Sequence, residues 1–211
     1  MKLLVTAGPT REPIDAVRFI TNASSGQMGY AIAAAGVAAG HEVTLLTGPV
    51  ALPAPAGCEV VPFVTVADLK GSLESRFDAC DALVMSAAVG DFVVQDSSDG
   101  KLPRTAGPIT ITLLPTDDLL AGVARRKRPG QRIVAFAVEP GPPDRAQAAA
   151  SSKLASKGAD LIVVNTPQAM SADASEAAIL SASKVVLPWA RRTKADLAQA
   201  IVRLLAPSAG R

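Results

Sequence analysis

Short aliphatic runs recur along the chain at residues 2–6, 42–47, 82–86, 132–137 and 161–165, and each reads as a strand buried on both faces. Between them the period of the apolar positions changes. Residues 28–39, 66–77, 117–126, 144–157 and 194–205 space apolar side chains three and four apart among good helix formers, as helices with one buried stripe do. Strands and helices in alternation predict an α/β fold with a doubly wound, mostly parallel, Rossmann-like sheet. Two further runs, 178–180 and 184–189, lie close together and predict an antiparallel edge. One segment breaks the rhythm: residues 101–114, KLPRTAGPITITLL, read as two extended pieces around Ala106, Gly107 and Pro108, a β-arm or hairpin inserted into the α/β unit. No internal repeat is seen, and the Pro/Gly cluster at 139–143 falls between a strand and a helix, so 1–211 reads as a single domain.

Composition narrows the function classes. Of 211 residues, 49% are hydrophobic and 19% charged, enough apolar surface for a large core and too much for a disordered chain. Lys and Arg number 21 against 19 Asp and Glu, and a net charge of +2 gives no electrostatic case for a nucleic-acid or anionic-membrane partner. An aromatic share of 3% is too sparse for base-stacking platforms. The apolar start MKLLVTAGPT stops within a few residues, no later run approaches the roughly 18 apolar residues of a membrane span, and a cytoplasmic location is expected. Cys58 and Cys80 have neither disulfide-framework nor zinc-site spacing, so reduced, buried thiols are expected.

Ligands of open α/β sheets bind outside the carboxyl ends of the strands. Here the first strand opens into a long loop, TAGPTREPIDAVRFITNASSGQMG, where a dinucleotide fold would turn quickly on GxGxxG; a GxxxxGK[ST] phosphate loop is also missing. The stretch Asn22-Ala23-Ser24-Ser25-Gly26 ends at a helix N-terminus, which can receive a phosphate or carboxylate; alternatively, Ser24 or Ser25 only caps the helix. The Asn22 carboxamide can support a developing carbonyl charge or close an Asx turn. Arg11 and Arg18 can serve as phosphate forks, or be paired with Glu12 and Asp15. Asp91, beyond the strand 82–86, can reach ribose, base or a metal-bound phosphate, or cap a turn. Lys101 and Arg104 open the arm, where they can close over a triphosphate or act as solvated edge charges. His41 has no partner pattern and reads as a surface residue.

Taken together, TAGPTREPIDAVRFITNASSGQMGYAIA, SAAVGDF, KLPR, LPTDDLL, IVAFAVE and KLASKGADLIVVN resemble the phosphopantothenate–cysteine ligase (phosphopantothenoylcysteine synthetase) family, in the family's order from about Leu3 to Leu205. The resemblance implies a ligase of coenzyme A biosynthesis that joins 4′-phosphopantothenate to L-cysteine through an acyl-nucleotide, with CTP or ATP as co-substrate and Mg²⁺ or Mn²⁺ as the ion. It implies Asn22 as the catalytic asparagine and Lys101 as the arm lysine needed for activation. Ser86, Ala87, Ala88, Asp91, Asp117, Asp118, Leu119, Leu120, Phe136, Lys153 and Lys157 match nucleotide-binding positions, Phe136 near the base, while Gly8, Asn22, Ser24, Ser25 and Gly26 fall at the substrate and phosphate site. It further implies a homodimer with crossing arms. Since the first strand starts at residue 2, the flavin-dependent decarboxylase domain usually fused ahead of the ligase is expected to be a separate partner. Departures are Gln27 where a lysine is common, and KLPR in place of KxKK; both lower the positive charge or stiffen the loop, and weaker anion binding follows as an expectation. A nucleotide- or phosphate-binding member with weakened catalysis is the competing reading.

Overall fold

The structure, a computed structural model, describes residues 1–104, 107–170 and 174–206. In chain order its strands are β1 (Lys2–Ala7), β2 (Arg11–Pro13), β3 (Phe19–Thr21), β4 (Glu42–Thr47), β5 (Glu59–Pro62), β6 (Ala82–Met85), β7 (Phe92–Val94), β8 (Leu113–Pro115), β9 (Arg132–Val138), β10 (Leu161–Asn165), β11 (Ala174–Ser181) and β12 (Val185–Thr193). Its α-helices are α1 (Gln27–Ala38), α2 (Val66–Arg76), α3 (Leu119–Ala124), α4 (Pro143–Lys157) and α5 (Lys194–Leu205). Eight strands form one sheet in the order β5-β4-β1-β6-β9-β10-β11-β12. Its first six members run parallel, and β11 and β12 close it as an antiparallel edge.

The strand interiors are apolar on both sides because both faces are covered. Leu3, Val5, Val84 and Val163 pack beneath α1 and α5 with Ile32, Leu197 and Ile201, whereas Leu4, Leu83, Ile133 and Ile162 pack beneath α2, α3 and α4 with Leu69, Leu120 and Leu154. Neighbouring residues of one strand thus serve opposite cores. Local chemistry sets the helix starts: Thr65 and Asp68 form a capping box on α2, and Thr193 caps α5 by accepting from Asp196 N at 3.1 Å. Cys80 is buried and its thiol is pushed up to about 11 by burial; Cys58 is half-buried, and both are free thiols. Among the described residues no helix is long and apolar enough to cross a membrane.

Two features depart from the sequence pattern. The edge strand β5 was not expected, and its side chains are mostly exposed, so it lacks the continuous apolar run of the inner strands. The arm also begins earlier than residue 101. Its paired limbs are β7 and β8, with Phe92 opposite Pro115 and Val94 opposite Leu113, so only Leu113 and Leu114 of the 101–114 span lie in a strand. Pro103 and Pro108 withhold N–H donors from that span, and among the described residues the Thr/Ile alternation at 109–112 forms no strand, although Gln95 N donates to Thr112 O at 3.0 Å. Ala106 lies outside the described residues.

Helix α1 is drawn onto β1 by Gly29. A methyl group there would stand 2.4 Å from Ala7 Cβ, 2.8 Å from Ser86 Oγ and 2.9 Å from Thr6 O. Two of these neighbours, the buried Ala7 Cβ and the Thr6 carbonyl, belong to β1 itself. Gly29→Ala is therefore expected to lower stability by about 1–3 kcal/mol, the cost of overpacking a well-filled interior, seen as a lower urea midpoint at unchanged slope. An unaltered midpoint would show that α1 can lift off the sheet without penalty.

Candidate active site

Strands β4 and β6 flank β1 on opposite sides, so the chain changes direction across the sheet at β1. At such a switch point the loops leaving the carboxyl ends part and leave a crevice. Here it is a cleft of about 600 Å³ beyond β6, β9 and β10 and the N-terminus of α1.

The floor of this cleft is made by joining two loops. Loop 8–26, after β1, contains the hairpin of β2 and β3; loop 86–91 follows β6. Ala88 N donates to Gly8 O at 2.9 Å, Thr10 N donates to Ala88 O at 3.2 Å, and Gly90 N donates to the buried Thr10 Oγ1 at 2.9 Å. Deeper in, Ser86 Oγ donates to Thr6 O and Ala87 N to Thr6 Oγ1. Glu12, buried, accepts from Val66 N at 2.9 Å and so ties the same loop to the start of α2. Gly8 itself is not on the cleft lining; its Cα lies behind Gly26.

Asn22 sits where these loops meet. Its Nδ2 donates to Val89 O at 2.9 Å and to Ala88 O at 3.3 Å. Both partners are carbonyl oxygens, so only the nitrogen can face them. The carboxamide nitrogen is thereby engaged by the protein, and the carbonyl oxygen is the side chain's remaining polar group, an acceptor.

Next comes the start of α1. Its N-cap is Gly26, whose φ of 76° belongs to the left-handed region that a glycine adopts without strain, and among the described residues no side-chain hydrogen bond caps the helix. The capping role considered for Ser24 and Ser25 is not what is found. Ser24 Oγ accepts only a long bond, 3.4 Å, from Gly26 N, one residue ahead of the helix. Ser24, Ser25, Gly26 and Gln27 all line the cleft.

The opposite wall carries charge of both signs. Asp118 caps α3, accepting from Ala121 N at 3.0 Å, and pairs with Lys157 at 3.1 Å. Asp117 pairs with Lys70 at 2.7 Å, and Lys153 with Glu139 at 2.6 Å. Partial burial pushes the Asp118 carboxyl up, but its hydrogen bond from Ala121 N and the Lys157 ammonium outweigh that and hold it below the ordinary value. The hydrogen bond from Lys70 lowers Asp117 likewise. Leu119, Leu120 and Phe136 supply apolar lining beside them, and Ala87, Ala88 and Asp91 complete the wall from the β6 side.

The expected positions thus converge, with clear exceptions. Lys101 and Arg104 are exposed on the arm, and neither belongs to this chain's cleft lining. Arg11 and Arg18 are also off the lining: the Arg11 guanidinium lies 4.5 Å from the Phe19 ring centroid, and Arg18 pairs with Asp15. Among the polar lining residues that escaped the sequence reading, Asn165 and Lys194 stand out. Asn165, the last residue of β10, has a buried Oδ1 with no hydrogen-bond partner; its place at a strand's carboxyl end was the available signal. Lys194 is buried and its Nζ donates to Gln27 Oε1 at 3.0 Å. Its signal was a cation in the first turn of a helix, where the dipole opposes it.

With this geometry in place, the comparisons assign the lineage. The chain belongs to the family described as the DNA/pantothenate metabolism flavoprotein C-terminal domain, whose model matches residues 1–208. This bears out the resemblance carried by the motifs. Coenzyme A biosynthesis bifunctional protein CoaBC of Mycobacterium tuberculosis is 46% identical over 172 residues, which cover 78% of this chain and 41% of that protein. The chain therefore spans less than half the length of that relative. The crystal structure of the C-terminal domain of a CoaBC superposes with a TM-score of 0.81 at 32% identity, covering 97% of this chain and 93% of that one. A Cab2 variant in complex with phosphopantothenate-cysteine shares the fold, with a TM-score of 0.81 at 18% identity and coverage of 97% and 84%.

The depressed Asp118 carboxyl has a measurable consequence. The folded protein holds this proton less tightly than the unfolded chain, so the stability it contributes is complete above about pH 4 and is lost as pH falls toward the lower folded value. Asp118→Asn keeps a good N-cap but has no charge to lose. Its urea midpoint is expected to fall less than the parent's between pH 6 and pH 3, and parallel curves would remove the Asp118–Lys157 pair from the balance.

Proposed function

We propose that the chain is a phosphopantothenate–cysteine ligase that activates its acid with CTP or ATP. The observation that carries this reading is the Asn22 carboxamide, fixed on the Ala88 and Val89 carbonyls beside the uncapped start of α1, in a cleft lined by Lys153, Lys157 and Lys194. Both substrates are polyanions, so the site has to position them and neutralise their charge.

In the first half-reaction the phosphopantothenate carboxylate attacks the α-phosphorus of the nucleotide; the α–β anhydride bond breaks, pyrophosphate leaves, and an acyl-nucleotide remains. In the second, the cysteine amine attacks the acyl carbon, the nucleoside monophosphate departs, and the amine's proton is lost to solvent. Backbone N–H groups at the start of α1 suit a phosphate or carboxylate. The Asn22 carbonyl oxygen, an acceptor, suits the N–H of the attacking amine and orients it. Phe136 offers a face for the base, and the buried Asn165 Oδ1 awaits an N–H or O–H donor from the ligand. Lys153 and Lys157 are already held by Glu139 and Asp118, which places their ammonium groups before the nucleotide arrives.

A divalent ion fits this site in one way. Among the described residues no cluster of three or more ligating side chains could hold a metal, and Asp117 and Asp118 are engaged by lysines. Mg²⁺ or Mn²⁺ would therefore be held chiefly by the nucleotide's own phosphates, with Asp91 as the cleft carboxylate best able to assist; bound there, it would neutralise charge on the leaving pyrophosphate.

Lys101 lies outside its own chain's cleft, which favours delivery from a second copy. The hairpin and the arm expose Val17, Phe19, Phe92, Ile109, Leu113 and Leu114, an apolar surface suited to a homodimer interface. The same absence of Lys101 from the cleft also favours the competing reading of a binder with weakened catalysis, working beside a separate decarboxylase.

Pyrophosphate release decides between them. With CTP or ATP, Mg²⁺ and phosphopantothenate but no cysteine, a ligase releases pyrophosphate and a binder does not. Lys101→Gln should suppress that release by about 10²-fold or more, as loss of an electrostatic donor does. Asn22→Asp should release pyrophosphate yet accumulate the acyl-nucleotide when cysteine is added. Normal amide formation by either variant would remove that residue from the mechanism.

A further inference from the structure

The Asp15 carboxylate is fully enclosed, although it lies in the β2–β3 turn outside the eight-stranded sheet. A buried charge is costly unless its lone pairs are met, and here each oxygen is. Oδ1 accepts from Val17 N at 2.9 Å and Arg18 N at 2.8 Å, which folds the turn upon itself. Oδ2 accepts from Arg18 Nε at 2.8 Å, from Arg18 Nη2, and from Leu102 N at 3.1 Å. That last bond crosses to a different excursion of the chain, the arm. Arg18 Nη2 then donates to Leu102 O at 3.2 Å. Leu102 is gripped at both its N–H and its C=O, while Ser98 N donates to Ile14 O at 3.1 Å and ties the same limb at a second point.

From this geometry we infer that Asp15 is a positioning residue for Lys101, acting through the backbone of Leu102. The Lys101 Cα is one peptide unit, about 3.8 Å, from the clamped residue. Pro103, on the other side, confines Leu102 to extended backbone, in which its N–H and C=O point to the same side, so that one Asp–Arg pair can take both. The proline that replaces a lysine in KLPR thus gives up one cation and contributes rigidity to the remaining one. The eight-stranded sheet has no need of this clamp, because it joins only the hairpin to the arm.

The inference rests on the ligase reading for Lys101's task, and its test separates the two. Pyrophosphate release is measured for the parent, Asp15→Ala, Lys101→Gln and the double variant, with hydrogen exchange at Leu102 N–H measured alongside; Asp15→Asn, which keeps the side chain's shape, serves where the alanine variant does not fold. Asp15→Ala is expected to speed exchange at Leu102 and to lower the rate of release by about 10–100-fold, the range for a misplaced group, mainly in kcat. In the Lys101→Gln background the same change should cost less than about twofold, whereas a merely structural role would add its full loss again. Additive losses, or unchanged exchange at Leu102, overturn the positioning role. A parent protein that releases no pyrophosphate overturns the ligase reading and Lys101's task with it, while exchange at Leu102 still reports whether the clamp exists.

Discussion

The site depends on the seam between loops 8–26 and 86–91. Parallel strands present their carboxyl ends together, but the loops that leave β1 and β6 go to opposite sides of the sheet, and without cross-links the crevice between them would be two independent surfaces. Gly8, Thr10, Ala88 and Gly90 exchange backbone and hydroxyl hydrogen bonds across that gap, and Asn22 adds its carboxamide from above. Each of these donors and acceptors is thereby satisfied in a region where sheet ladders have ended. The cost is a long loop to order. The result is that the candidate catalytic amide and the start of α1 are held in one frame, with Gly29 setting how closely the helix approaches β1.

Charge around the cleft follows the same logic of prior arrangement. A lysine free in solvent must lose side-chain entropy when it meets a phosphate; Lys153 and Lys157 have given up much of it already to Glu139 and Asp118. Glu139 and Asp118 therefore act as holders of these two ammonium groups. Asp118 holds two partners at once, since it also caps α3, so the position of Lys157 is coupled to the end of a helix that packs in the core.

Much of this was legible in the chain. The five inner parallel strands are apolar on both faces and the five α-helices have clear periods, so α/β alternation could be read within a residue or two at most ends. Helix α5 begins and ends where its spacing predicts. What was not legible depended on partners distant in sequence. Strand β5 is an edge with one covered side, and β2 and β3 are too short to carry a pattern. The arm was misplaced because the alternating Ile and Thr residues imitate a strand while the true limbs, β7 and β8, are three residues each. At the site, motif positions converged on the cleft because motif spacing reflects strand ends. Asn165 and Lys194 were passed over, since a lone Asn or Lys has no spacing to read. Asp15 was read only as a companion for Arg18; its bond to Leu102 spans 87 positions of sequence and has no local signature.

Gln27 shows that the charge at the end of α1 is set by more than the residue at that position. Replacing the lysine common at this place by a neutral amide was expected to weaken anion binding. In the folded chain, however, Lys194 stands at the first turn of α5 and donates to Gln27 Oε1 at 3.0 Å, while both side chains line the cleft. A positive charge therefore stands beside the start of α1, on a side chain from another helix that donates to the Gln27 amide. A lysine at position 27 would instead bring a second ammonium group near Lys194, where like charges repel. Gln27 and Lys194 thus join the starts of α1 and α5 through one hydrogen bond at the cleft.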